Sequence, residues 1–273
     1  MHTTDGDPPL ALVPATTSSL VADLGALGLG HAQVVLVHAS LSSLGYVIGG
    51  AQAVIDALLE VVGSRGTVVM PAHSGDLSEP SHWTGPAAPA SWWQPIRESL
   101  PAFDPAKTPT YRMGTIAETF RGWPAVLRSN HPTASFAAHG AHAARVVRVH
   151  QLEDGFGEHS PLARLYELDA QVLLLGVGHD RNSSLHLAER RALGKAQAVR
   201  ATGAPVFVRG ARRWVTFDEP ATDASDFLAL GAALEIQTSC VFKAKVAAAH
   251  ARRIPMRALV DFATDWLRMH QNL

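Results

Sequence analysis

The residues whose types and spacing best fit chemistry lie in Leu173 to Glu189, LLLGVGHDRNSSLHLAE. An apolar run, Val172 to Leu175, reads as a buried strand. It passes into a turn carrying Gly176 and Gly178, then His179, Asp180, Asn182, Ser183 and Ser184. A helix follows and presents His186 and Glu189 in its first turn. A strand, a glycine turn and a helix N-terminus with a titratable pair form the layout of an α/β active site. Three positions apart, the two side chains share a helix face. A general base and its orienting carboxylate are often arranged this way. Asp180 is the second carboxylate in reach of that role. The spacing equally fits a structural reading, in which Glu189 complements the positive end of the helix dipole.

His38 holds the matching place on another strand–helix unit. Val34 to Val37 is a continuous apolar run, as expected of a strand covered on both faces. His38 ends it and leads into Ser40-Leu-Ser-Ser-Leu-Gly-Tyr-Val-Ile-Gly-Gly. Ligands of open α/β sheets bind at the carboxyl ends of strands, so His38 and His186 converge on one edge. The loop's backbone N–H groups suit an anion or a polar amide. It lacks the ending of a phosphate-binding P-loop and is not a dinucleotide fingerprint.

These residues need a scaffold. Ser18 to Leu29 has helical spacing and stops at Gly28 and Gly30. Ala51 to Val62 reads as a helix and Thr67 to Met70 as a buried strand. Helix, strand, helix, strand is the rhythm of a parallel sheet with helical crossovers. Ala72 to Tyr111, with His73, His82, three tryptophans and many prolines, reads as a long irregular cleft wall. Helices are expected over Thr115–Phe120, Ala141–His150 and from Ser160-Pro161 onward, where Pro takes the first helical position. Val206–Val208 and Trp214–Phe217 flank a hairpin turn. Asp226–Ile236, Lys243–Ala251 and Pro255–Met269 read as a helical C-terminal segment. A single domain over 15–273 is expected, preceded by a strap over 1–14.

Other chemistries fit less well. Zinc hydrolases place two histidines at i, i+4 around a glutamate, and His73, His82, His179, His186 and Glu189 do not form that pattern. No G-x-S-x-G nucleophile elbow occurs. Acidic residues recur in loops: Asp76, Glu79, Asp104, Glu158, Asp218, Glu219 and Asp223. Each is a solvated charge on its own; together they fit a pocket for a polycation. The 273 residues carry 23 Lys+Arg against 24 Asp+Glu, with 47% hydrophobic residues. That is a soluble globular composition with no nucleic-acid footprint and no apolar run near the ~20 residues of a membrane span. Cys240 is the single cysteine, which fits a reducing cytoplasm.

The chain resembles the aminoglycoside 3-N-acetyltransferases, an antibiotic acetyltransferase family distinct from GNAT. The segments that carry the resemblance are Val35 to Gly45, Gly66 to Pro71, Met113 to Phe120, Arg128-Ser-Asn-His-Pro132 with Ser135, Leu173 to Glu189, and Ala258 to Ala263. It implies a three-layer α/β/α sandwich around a mostly parallel sheet, with acetyl-coenzyme A as cosubstrate, no metal, and a 2-deoxystreptamine antibiotic as acceptor. It implies that His186 is the catalytic histidine, with Glu189 or Asp180 orienting it. It places His38, Ala39, Ser40, Ser42, Ser43, Leu44, Gly45, Tyr46, Val47, Met113, Gly114 and Thr115 by the thioester and pantetheine arm. Ser74, Asp76, Glu79, Asp104, Glu158, Asp218, Glu219 and Asp223 would face the drug. The alternative acceptor is another amine-containing metabolite.

Overall fold

The computed structural model describes residues 13–270; most of the expected strap over 1–14 lies outside them. The first elements follow the sequence rhythm: α1 (Thr17–Ala26), β1 (Val34–Ala39), α2 (Gly50–Val62) and β2 (Thr67–Pro71). Thr16 caps α1 by accepting from Ser19 N–H while the Ser19 side chain returns the bond, a reciprocal capping box. The cleft-wall segment is less irregular than expected. It contains α3 (Ala90–Ser99) before α4 (Gly114–Arg121). Next come β3 (Leu127–Arg128), β4 (Phe136–Gly140), α5 (Ala143–Val147), α6 (Pro161–Glu167), β5 (Gln171–Leu175) and α7 (Ser184–Leu193). The chain ends with β6 (Val199–Val208), β7 (Ala211–Pro220), α8 (Phe227–Gln237), β8 (Phe242–Val246), β9 (Ala249–Pro255) and α9 (Met256–His270).

Seven strands form one sheet in the order β3-β4-β2-β1-β5-β9-β8. At its heart β1 pairs in parallel with β2 and β5. Both flanks are antiparallel, through β4 on one side and β9 on the other. Strands other than β4 and β9 therefore run in one direction. The central strands are buried along their length, and their alternate residues feed two cores. Val35, Val37, Leu173 and Leu175 pack with α1, α2 and α4. Leu36, Val172 and Leu174 pack with α6, α7, α8 and α9 on the other face. Each fully buried Leu or Val contributes about 1.5–3 kcal/mol. These two layers hold the carboxyl ends of β1, β2 and β5 in fixed register, with His38 opposite Leu174.

The segment Lys243–Ala251, expected as a helix, is instead the β8–β9 hairpin. Its alanines favour a helix, but its burial has period two: Lys243 and Lys245 are exposed, while Ala244 turns inward and Val246 is buried. Pairing with β5 then decides the outcome, because tertiary pairing overrides weak propensity. The C-terminal segment is thus two helices around a hairpin. The β6–β7 hairpin is longer than expected, paired from Val199↔Pro220 to Val208↔Ala211. Arg209 and Gly210 at its tip both have positive φ, as a two-residue turn of the twisted kind requires. Among the described residues no helix is long and apolar enough to cross a membrane.

Candidate active site

A cleft of ≈ 870 Å³ opens at the carboxyl ends of β1, β2 and β5, lined by His38–Ser42, Gly45, His73, Met113–Thr115, Asp180 and His186, among others. Its layout follows from local sequence. After β5, Gly176 turns with φ +69, and a Cβ there would lie 2.5 Å from Ser43 Cβ. Only glycine lets this turn close against the serine loop. The Ser43 hydroxyl lies 2.9 Å from Gly176 C=O and 3.0 Å from Ser40 Oγ. The two strand-end loops are thereby fixed to each other before α7 begins.

On α7, His186 Nδ1 donates to Glu189 Oε2 at 3.0 Å. Glu189 is buried, and its other oxygen accepts from Asp223 N–H at 3.0 Å. The carboxylate is held at both ends, so it fixes the ring's orientation and its tautomer. With the proton on Nδ1, the free lone pair is on Nε2. The imidazole packs at a tilt against two aromatic rings, Phe156 at 4.9 Å and Phe227 at 4.8 Å. Asp180 lines the same cleft but pairs with Arg181 at 3.1 Å. Of the two carboxylates considered from sequence, the geometry joins Glu189 to His186.

His38 and His73 line the cleft with buried Nε2 atoms that have no partner among the described residues. Burial, reinforced by the nearby His186, lowers the His38 pKa to about 3. Burial lowers His73 likewise to about 3, with His38 and His186 adding to the effect. Both rings are neutral at physiological pH, so each offers a donor or an acceptor without a charge. Sequence reasoning set His73 aside as a possible metal ligand. Its signal was close to that of His38: His38 sits at the carboxyl end of β1, and His73 lies two residues past the end of β2. Among the described residues, no group of three or more His, Cys, Asp or Glu is arranged to hold a metal ion.

The other expected contacts divide. Ala39, Ser40, Ser42, Gly45, Met113, Gly114 and Thr115 line the cleft with His38. Ser43, Leu44, Tyr46 and Val47 do not: Ser43 braces the loop, Leu44 and Val47 are core residues, and Tyr46 is 75% exposed. Ser74 is fully buried, donates to Pro132 C=O and accepts from Arg128. Arg128 also bonds Ser135 and the Ala72 carbonyl. The Arg128–Ser135 segment thus anchors the loop after β2. Glu79 is buried in a two-pronged pair with Arg97. Those bonds outweigh the upward push of burial and lower its pKa. Asp104 caps Ala106 N–H, Glu158 pairs with Arg191, and Glu219 pairs with Arg200. Asp76, Asp218 and Asp223 are exposed; burial of part of Asp76 raises its pKa.

A second, smaller compartment lies behind Phe156, which lines both spaces together with Thr222. It is bordered by Asp154, Arg190, Arg200 and Glu219. Arg190 stands one helical turn beyond His186 on α7. Sequence reasoning missed this arginine and Phe156, since neither belongs to a local pattern.

The family model described as aminoglycoside 3-N-acetyltransferase matches residues 36–268. The chain is 45% identical over 254 residues to the SPbeta prophage-derived aminoglycoside N(3')-acetyltransferase-like protein YokD of Bacillus subtilis (strain 168), covering 93% of this chain and 92% of that one. The crystal structure of YokD superposes with a TM-score of 0.92 over 95% of both chains. Structures of AAC-VIa bound to sisomicin (30% identity, TM-score 0.85, 94% of this chain and 99% of that one) and of AAC-IIIb with CoASH (30%, 0.83, 94% and 97%) share the architecture.

Proposed function

The chain belongs to the aminoglycoside 3-N-acetyltransferase family, and on that premise we propose that it transfers acetyl from acetyl-coenzyme A to the 3-amino group of a 2-deoxystreptamine acceptor. One observation carries the proposal: a histidine held by a buried, doubly hydrogen-bonded glutamate in the wall of the cleft at the carboxyl ends of β1, β2 and β5. The solved relatives that hold CoASH and sisomicin support the two ligand classes. The helical layers on either face of the sheet support a three-layer sandwich, and we take 15–273 as a single acetyltransferase domain. The lone cysteine supports a cytoplasmic enzyme.

The cleft residues fit coenzyme A. Gly45 and Gly114 have positive φ. A Cβ at Gly114 would meet nothing closer than 3.9 Å, which leaves an open floor for a narrow arm. The unpartnered His38 Nε2 provides a buried polar contact beside it. His38–Ser42, Gly45 and Met113–Thr115 would hold the pantetheine end. Bound acetyl-coenzyme A supplies an activated thioester. An acceptor amine is mostly protonated at neutral pH and must lose a proton to attack. His186 Nε2 takes that proton, and Glu189 stabilises the imidazolium through Nδ1. His38, neutral and desolvated, donates a hydrogen bond to the oxygen on which charge develops, the kind of contact that contributes ~3–4 kcal/mol at good geometry. Transfer is direct, with no acyl-enzyme: the amide C–N bond forms as the thioester C–S bond breaks, the sulfur leaves as the coenzyme A thiol with the amine's second proton, and the imidazolium releases its proton to solvent.

The test is free thiol release from acetyl-coenzyme A with gentamicin C1a, sisomicin and paromamine, run beside His186→Ala. Release by the wild type and its loss in the variant support the transferase and its base. Absence of release with every aminoglycoside points to another amine, and equal release by the variant contradicts the role of His186.

A further inference from the structure

The compartment behind Phe156 has an unusual charge balance for a site that meets a polycation. Arg190 Nε lies 3.4 Å from Asp154 Oδ1, and its Nη1 donates to Gln197 at 2.7 Å. Arg200, on β6, donates through Nε and Nη2 to Glu219 directly across the hairpin on β7, at 2.9 and 2.6 Å. Both carboxylates that border the compartment are therefore already neutralised. The other acidic residues expected to meet a drug show the same pattern where they are buried or bonded, Glu79 with Arg97 and Glu158 with Arg191. An ammonium group entering here meets a cation beside each anion. It gains little attraction, and it must compete with arginines already in place. Arg190 Nη2 and Arg200 Nη1 make no hydrogen bond among the described residues and offer donors to hydroxyl oxygens instead.

We propose that this acceptor compartment selects aminocyclitols of low positive charge, carrying two or three amino groups and many hydroxyls, over drugs carrying four or five amino groups. Arg190 and Arg200 are the residues that set the selection. The inference rests on the acetyl transfer proposed above, since it identifies the compartment as the acceptor side of His186. Phe156 ties the two, because its ring packs at a tilt against the His186 ring, 4.9 Å between centroids, and it walls the compartment.

The experiment compares kcat/KM for paromamine and gentamicin C1a, by thiol release at saturating acetyl-coenzyme A, in the wild type, Arg200→Gln and Glu219→Gln. The wild type is expected to favour paromamine. Arg200→Gln, which exposes the Glu219 carboxylate, should shift the ratio roughly tenfold toward gentamicin C1a, equal to about 1.4 kcal/mol. Glu219→Gln, which leaves Arg200 unpaired, should shift it the other way. Equilibrium dialysis of gentamicin C1a against the same three proteins reads the selection without turnover: Arg200→Gln should bind the drug roughly tenfold tighter than wild type. Wild-type preference for gentamicin C1a, or equal ratios and equal binding in all three proteins, overturns the proposal and leaves the transferase reading standing. Absence of thiol release with either acceptor in all three proteins, with Arg200→Gln still binding gentamicin C1a roughly tenfold tighter than wild type in dialysis, strikes the transferase reading alone.

Discussion

Two histidine–carboxylate pairs leave the same strand–helix turn seven residues apart, and their surroundings differ. His179 Nε2 lies 3.1 Å from Glu235 Oε1, and His186 Nδ1 lies 3.0 Å from Glu189 Oε2. Glu235 also takes Arg252 and Lys243. His179 is packed so tightly under α8 that a Cβ on Gly231 would fall 2.1 Å from its Cγ. Burial lowers the His179 pKa against the opposing pull of Glu235. That pair is a structural rivet. Glu189, in contrast, takes one backbone N–H beside His186 and, among the described residues, no Arg or Lys, and His186 borders the cleft. A histidine–carboxylate pair becomes a candidate base when one ring nitrogen is fixed and the other faces open space.

The largest predicted effect breaks the cleft pair. His186→Ala should lower kcat by 10²–10⁴-fold, the usual contribution of a general base, with an unchanged circular dichroism spectrum. Glu189→Gln should follow, with a loss on the order of 10–10²-fold in kcat, a part of that same contribution; stopped-flow thiol release measures both. The rivet should respond in stability instead. His179→Ala should cost about 1–3 kcal/mol in urea unfolding, because a buried hydrogen-bonded group is lost, while kcat stays within a few-fold.

Acid should separate the regions further. Burial pushes the Glu235 carboxyl up, but bonds from Lys243, Arg252 and His179 outweigh it and hold it at about 2. A carboxylate lowered from 4.5 contributes stability above pH ~4.5 that is lost as pH falls toward ~2. His38 and His73, lowered by burial to about 3, act in the same direction over a higher window. Unfolded histidines bind protons below pH ~6.5 while the folded ones do not, so stability falls from there toward pH 3. Urea midpoints should thus decline from pH 7 to pH 5, and His73→Phe should make that decline shallower. Glu235→Gln should flatten only the steeper limb below pH 4.5. The smallest effect is expected at Cys240, which lies 3.0 Å from Thr238 Oγ1 between α8 and β8: Cys240→Ser should keep kcat within twofold, and a total loss would contradict direct transfer.

The parts of the molecule that were legible in sequence are those written in local pattern. Continuous apolar runs marked β1, β2 and β5. Ser160-Pro161 marked the start of α6, where Ser160 accepts from Leu162 N–H. The i, i+3 spacing marked His186 and Glu189. The antiparallel flanks were not legible. Phe136–Gly140 is a short strand among small residues, and Lys243–Ala251 has helical composition with strand periodicity. In the site, the residues that reach His186 from a distance escaped notice, because Phe156, Phe227 and the Asp223 N–H approach it only through folding. The family resemblance implies that Ser74 faces the substrate, but the anchor formed with Arg128 and the Pro132 carbonyl buries it.

The most direct measurement is single-turnover thiol release with paromamine at saturating acetyl-coenzyme A, for wild type and His186→Ala, paired with equilibrium dialysis of paromamine. A fall of at least 10²-fold in the transfer rate, with paromamine still bound by the variant, is the predicted result. Transfer at an equal rate in the two proteins would contradict the assignment of His186 as the base.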